Sequence, residues 1–212
     1  MTNITASFPI LHILILCVLK ILFIKIYLYY IPPVRSRSQR KRKGVDPYFG
    51  FTPLGAYKGC KYSLDAIEML KEKYPDLTVN VITTEKDIPS FPEYCKCYYN
   101  LTPEKVSEVN NKSEVFICST IDEGFGLPGL EAMACGCTVA STDYTGVHEY
   151  AVDEYNALLS PVRDPQAMAD NVSRLFDDDM LRTSIVAEGK KAAYSRSIDI
   201  SYSKFKEVLE TL

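Results

Sequence analysis

From residue 44 onward the sequence predicts an α/β domain: a parallel sheet with helices on both faces. Strand-like and helix-like segments alternate over the 167 residues from Asp46, and parallel neighbours need such crossover connections. The central segment "EVFICST" is apolar without alternation, the pattern of a strand buried on both faces. The whole chain, 212 residues with 47% hydrophobic and 24% charged, has the composition of a folded protein with room for one sizeable core.

The elements read in order as follows. "PYFGF" and Thr78–Thr84 ("TVNVITT") are strands. Between them Tyr62–Tyr74 is a helix with Leu64, Ile67, Met69 and Leu70 on one face, ended by Pro75. Lys96–Leu101 is a short strand, and Thr102-Pro103-Glu104 starts a helix with a cap residue, a proline and an acid in the first turn. After "EVFICST" comes the "GLPGLEAMACG" helix, then the strand Cys137–Thr142, a "DYTGVHEY" turn and the short strand "NALLS". A helix capped by Asp164-Pro165 follows, and Met180–Tyr194 and Tyr202–Leu212 close the chain as helices. "FDDD", with Asp177 to Asp179, reads as a solvated helix boundary and not as a metal site.

Residues 1–43 read as a separate segment. They carry eight Lys and Arg and no acid, so they hold +8 while the remainder holds −11. Phe8–Ile31 is 24 residues long, enough to span about 36 Å as a helix against a hydrocarbon core of about 30 Å. Its 16 Leu, Ile, Val and Phe favour insertion by about 5 to 10 kcal/mol, against at most roughly 5 to 7 for Lys20 and Lys25. The positive charge follows the apolar run and no small-residue cleavage site is present, which disfavours a cleaved signal peptide. "RSRSQRKRKG" would stay on the cytoplasmic side, beside anionic lipid rather than nucleic acid, and residues 44–212 would form a membrane-anchored cytoplasmic domain. A misassigned start or the remnant of a broken gene is the alternative, which leaves a plain cytoplasmic domain.

Seven cysteines suit a reducing compartment. The C-x-C pairs Cys95/Cys97 and Cys135/Cys137 lack zinc-site spacing, and Cys118 and Cys135 lie in apolar surroundings as buried thiols.

The chemistry concentrates in Ile121–Gly136, "IDEGFGLPGLEAMACG". Gly124 and Gly126 permit a sharp turn and close backbone approach to a ligand. Pro128 fits the first turn of a helix beginning near Leu127, whose free N–H groups would attract an anion. Glu123 precedes that helix and Glu131 lies one turn inside it. Two carboxylates could also serve as a hydrolytic acid and base, but that reading leaves the glycine turn, the helix start and Lys58 without a role. Solvated loop and helix acids are the plain alternative.

Glu123, "GFGLPGL" and Glu131 resemble the E-x7-E signature of retaining, nucleotide-sugar-dependent GT-B glycosyltransferases, the group called family 4 or glycosyl transferases group 1. Lys58-Gly59, "EAMACGCTVASTDYTGVHEY" and "DEYNALLSPVRDPQAMADNVSRLFDDDMLR" follow the order of that family's carboxy-terminal domain over residues 48 to about 190. The resemblance implies a Rossmann-like half of a GT-B fold, with a nucleotide-diphosphate sugar as donor, no cofactor and no obligatory metal. Glu123 would contact the sugar hydroxyls and Glu131 the ribose. Backbone amides of Gly124, Phe125, Gly126 and Leu127 would face the sugar or phosphates, Lys58 would neutralise the diphosphate, and Thr145 and Gly146 would add amides. The acceptor would be a glycan or lipid-linked glycan.

Several features depart from the family. Phe51 stands where an arginine is usual, and Ala157 where glycine is common. Tyr48, Phe49 and Phe51 read as sheet core, and Tyr94, Tyr98 and Tyr99 as packing residues or flanks of a nucleobase. The amino-terminal domain that binds acceptor and supplies a histidine is missing, and neither His12 nor His148 replaces it. The expectation is therefore an active transferase completed by a separate acceptor-domain subunit, or a truncated product that binds nucleotide sugar without catalysis.

Overall fold

A computed structural model describes residues 48–50, 58–83 and 91–210. Six parallel strands form one sheet in the order β3-β2-β1-β4-β5-β6. They are β1 (Tyr48–Gly50), β2 (Val79–Thr83), β3 (Cys95–Tyr99), β4 (Val115–Cys118), β5 (Thr138–Thr142) and β6 (Leu158–Ser160). The chain builds outward from β1 to β2 and β3, then returns to the other side of β1 with β4. That reversal opens a crevice at the carboxyl ends of β1 and β4, where ligands bind in open α/β sheets.

The helices are α1 (Cys60–Lys73), α2 (Pro103–Asn110), α3 (Leu127–Ala134), α4 (Pro165–Asp177), α5 (Asp179–Tyr194) and α6 (Ile198–Glu210), with a 3-10 turn at Thr145–Glu149. Strand alternation divides the core into two layers. Val115 and Ile117 join Ile67 and Leu70 of α1 and Val172 and Leu175 of α4 on one face. Phe116 and Val139 join Leu130 and Met133 of α3, Tyr144 and Tyr150 on the other. This is why β4 reads as an unbroken apolar run.

Caps set several helix starts. Asp164 accepts from the Ala167 N–H at 3.0 Å and Asp178 from the Leu181 N–H at 2.9 Å, each satisfying an amide without a helical partner. Asp177 to Asp179 thus form the expected helix boundary. Thr102 occupies its cap position with no side-chain capping bond; its side chain lies near Glu104 and helps hold that carboxyl below its ordinary range.

Some expectations require correction. Met69 is exposed and Leu64 half-buried, and the inward face of α1 is Ser63, Ala66, Ile67 and Leu70. The packing of α1 against α4 sets that face, which four apolar positions alone do not define. Cys135 is buried, but Cys118 at the end of β4 is half-buried because the strand stops at the crevice. The last helix begins at Ile198, four residues before the expected start. Residues 1–43, with the apolar Phe8–Ile31 stretch, lie outside the described residues, as does Phe51. Among the described residues no helix is long and apolar enough to cross a membrane.

Candidate functional site

The crevice is built where the segment entering α1 meets the loop after β4. Ser63 donates to Ser119 Oγ, and Ser119 donates to the Gly59 carbonyl at 2.9 Å. Gly59 is left-handed at φ 63°, and a Cβ there would lie 1.9 Å from the Ser119 carbonyl oxygen. Only glycine permits this contact. The lock sets Lys58 over the loop, with its Nζ 2.8 Å from Glu123 Oε2 and the side chains 31% and 25% exposed. This half-shielded pair is desolvated enough to hold its geometry and open enough to exchange partners with a ligand.

The loop itself is held from beneath by the chain leaving β5. Thr142 Oγ1 contacts the Thr120 carbonyl and donates toward Cys118 O at 3.3 Å. The Gly146 N–H donates to the Glu123 carbonyl at 3.2 Å, and a Cβ on Gly146 would stand 2.3 Å from that oxygen. Backbone therefore lies directly on backbone. Gly126 then adopts φ 88° as the residue before α3, and Pro128 falls in the helix's first turn, where its missing N–H leaves nothing unpaired.

Glu131 faces a different environment. Burial pushes its carboxyl from 4.5 up to about 8, although the residue still reaches the surface. Among the described residues no basic side chain contributes to that shift, and burial is what retains the proton. Nearby Cys135 is likewise pushed up to about 11, chiefly by burial. A ligand offering hydroxyl donors would replace what Glu131 lacks.

The structure thus brings Lys58, Glu123, Gly124, Phe125, Gly126 and Leu127 to one sheet edge, with Glu131 one turn along α3. Gly124 is exposed, with open space where a Cβ would sit, and Phe125 tilts against Tyr150 at 5.6 Å between ring centroids. Thr145 is exposed and Gly146 buried. The amides of Gly146 and Val147 are already engaged, with Glu123 O and Tyr144 O at 3.2 and 3.1 Å. Through the Gly146 amide the turn supports the loop from below. His148 pairs with Asp143 at 2.7 Å, both more than half exposed.

Ser63, Ser119, Thr142, Tyr144 and Tyr150 complete the site and were not legible beforehand. The small polar run "ST" after β4 was a weak signal for Ser119. Nothing in the spacing of the two tyrosines marked them. Among the described residues no three His, Cys, Asp or Glu side chains gather as a metal site.

Comparison with known proteins bears on this geometry. Residues 39–192 match the family described as Glycosyl transferases group 1. D-inositol 3-phosphate glycosyltransferase of Corynebacterium urealyticum is 27% identical over 171 residues, covering 73% of this chain and 40% of that protein. The N,N'-diacetylbacillosaminyl-diphospho-undecaprenol alpha-1,3-N-acetylgalactosaminyltransferase of Campylobacter jejuni is 22% identical over 73% of this chain and 42% of its own length. The chain thus spans about two fifths of these curated relatives.

Among solved structures, the C-terminal domain of the glycosyl transferase group 1 family protein LpcC from Francisella tularensis matches with TM-score 0.65 and 24% identity. The match covers 80% of this chain and 96% of that one. Anabaena HepE, solved in complex with UDP-glucose, matches with TM-score 0.70 and 17% identity over 80% of this chain and 50% of HepE. The shared fold is that of one half of such proteins.

Proposed function

The chain belongs to the glycosyl transferases group 1 family, and from that premise we propose that residues 44–212 are the donor-binding domain of a retaining GT-B glycosyltransferase of family 4. The reaction transfers a sugar from a nucleotide-diphosphate sugar to a glycan or lipid-linked acceptor. One observation carries this reading: at the sheet's switch point the Lys58–Glu123 pair, at 2.8 Å, lies beside a left-handed glycine turn and a helix start, with the desolvated Glu131 one turn beyond. Cation, amides and two carboxylates in different environments suit a ligand that is anionic in the middle and hydroxylated at both ends.

In this reading Lys58 leaves Glu123 for the diphosphate and stabilises the charge that builds on it as the sugar departs. Glu123, released from its cation, accepts hydrogen bonds from the sugar hydroxyls. The free amides at Gly126 and the start of α3 face the phosphates. Glu131 takes the ribose hydroxyls, which stabilise its ionised form. Lys58 and the amides carry the diphosphate charge, so no metal is obligatory. A hydrolytic acid and base pair would leave Lys58 without a role.

The matched region corresponds to about two fifths of these relatives' length, and in this reading it is the part that holds the donor. Phe8–Ile31 and the basic run after it anchor the domain to the cytoplasmic face of a membrane, which suits a lipid-linked acceptor like the one named for the Campylobacter relative. UDP, ADP or GDP should raise the melting temperature of the full chain, and Glu131→Ala should remove the rise. No shift with any of the three would sink the donor-site reading.

A further inference from the structure

Beneath the glycine loop lies a pair of tyrosines that the proposed chemistry does not use. Tyr144 and Tyr150 are each 2% exposed, and their hydroxyl oxygens lie 3.1 Å apart. Tyr144 OH donates to the Phe125 carbonyl at 3.2 Å. A phenol has one proton, so Tyr150 must donate to Tyr144, and the relay runs from Tyr150 through Tyr144 to the loop backbone. Burial raises the pKa of both phenols, so both stay protonated donors.

The surrounding chain is shaped to admit these two hydroxyls. A Cβ on Gly126 would lie 1.8 Å from the Tyr144 hydroxyl, and one on Gly129 would lie 2.3 Å from that of Tyr150. Asn156 fixes the base of the pair: its Nδ2 donates to Tyr150 O at 2.9 Å and its Oδ1 accepts from Val152 N at 2.7 Å. Hydroxyls, not rings alone, fill the space beneath the loop.

We infer that Tyr144 and Tyr150 are positioning residues: their hydroxyl relay fixes the orientation of the Phe125–Gly126 peptide and thereby aims the Gly126 N–H at the diphosphate. This rests on the reading of the crevice as a nucleoside diphosphate site. Carbonyl and N–H of a trans peptide point in opposite directions, and the described residues contain no cis peptide. With the Phe125 carbonyl drawn inward to Tyr144, the Gly126 N–H is turned away from the buried pair, and among the described residues it meets no backbone acceptor. Gly126, at φ 88°, has no Cβ to restrict its own φ, so the orientation of the Phe125–Gly126 peptide depends on the hydrogen bonds that it makes. A rotated peptide would present a carbonyl to the anion. The tyrosine relay is what holds the donor outward.

The test is titration of the full chain, as wild type, Tyr144→Phe and Tyr150→Phe, with UDP, ADP and GDP and with the parent nucleosides. Tyr144→Phe should weaken the preferred diphosphate about tenfold to a hundredfold, the range for a lost hydrogen bond to a charged group. Affinity for the nucleoside should be unchanged. Tyr150→Phe should act in the same direction but less strongly. In the wild type the Gly126 amide proton resonance should move on adding diphosphate and stay still with nucleoside, a readout that stands even if a variant folds poorly. Equal weakening of both ligands, unchanged diphosphate affinity in Tyr144→Phe, or a motionless Gly126 resonance would each overturn the inference while leaving the donor site intact. Absence of binding by the wild type to all three diphosphates would overturn the site reading itself.

Discussion

Replacing Glu131 with glutamine removes one titration and little else, which makes it a direct probe of the crevice. In the folded chain burial holds the carboxyl proton up to about pH 8, against 4.5 ordinarily. Below pH 4.5 the carboxyl is protonated in both the folded and unfolded states, and its contribution does not vary with pH. Between 4.5 and 8 the unfolded chain releases the proton while the folded chain keeps it, so stability falls as pH rises, by up to about 1.4 kcal/mol per unit. Above 8 the loss is complete. The full interval corresponds to a ceiling of about 5 kcal/mol, and water reaching the partly exposed side chain reduces the expected effect to about 2 to 3 kcal/mol. Glu131→Gln should therefore match wild type at pH 4.5 to 5 and exceed it by that amount at pH 8. Equilibrium urea unfolding of the full chain, followed by far-UV circular dichroism because the chain has no tryptophan, measures the difference. A wild-type minus variant difference that stays flat from pH 5 to 8 would show that the carboxyl is ionised when folded and that its desolvation is not as described.

Nucleoside diphosphate binding should release up to one proton near pH 7 as ribose hydroxyls stabilise ionised Glu131; calorimetry in buffers of differing ionisation enthalpy reads this, and Glu131→Gln should abolish it. Lys58→Ala should weaken a nucleoside diphosphate roughly ten- to a hundredfold and leave the nucleoside unaffected, and binding that stays equally tight would remove Lys58 from the site. Gly126→Ala meets both a positive φ and the Tyr144 hydroxyl, and thermal unfolding should show a loss of about 2 to 4 kcal/mol. Gly124→Ala, in open space, is the control and should leave the melting temperature nearly unchanged.

Much of the fold was legible in local signals. The Asp164 cap, the helix boundary at Asp177 to Asp179, the proline after Thr102 and the unbroken "VFIC" run each act within a few residues, so each can be read from its own neighbourhood. The alternation of elements implied a parallel sheet because a parallel pair cannot be joined by a short turn. The boundaries were less secure where tertiary packing decided them. α1 starts two residues before the expected Tyr62, where Gly59 is pressed against Ser119, and its buried face turns on contact with α4.

At the site, the glycines, the two glutamates and Lys58 were readable as residue types suited to an anionic, hydroxylated ligand. Their relations were not. Ser63 and Ser119 lie 56 residues apart in the chain yet share a hydrogen bond, and Lys58 meets Glu123 because β1 and β4 are neighbours. The raised proton affinity of Glu131 comes from the density of protein around it, which no spacing encodes.

The sequence by itself determined that this is a parallel α/β domain with a glycine turn between two acids, because local dihedral preference, capping and hydrophobic period are properties of adjacent residues. Only the tertiary structure decided which amides of that turn are free, which cation stands over Glu123, and that two distant tyrosine hydroxyls hold the loop from below. Those depend on which strands lie side by side and how closely their backbones approach, and steric exclusion at ångström range becomes defined only when the chain has closed on itself.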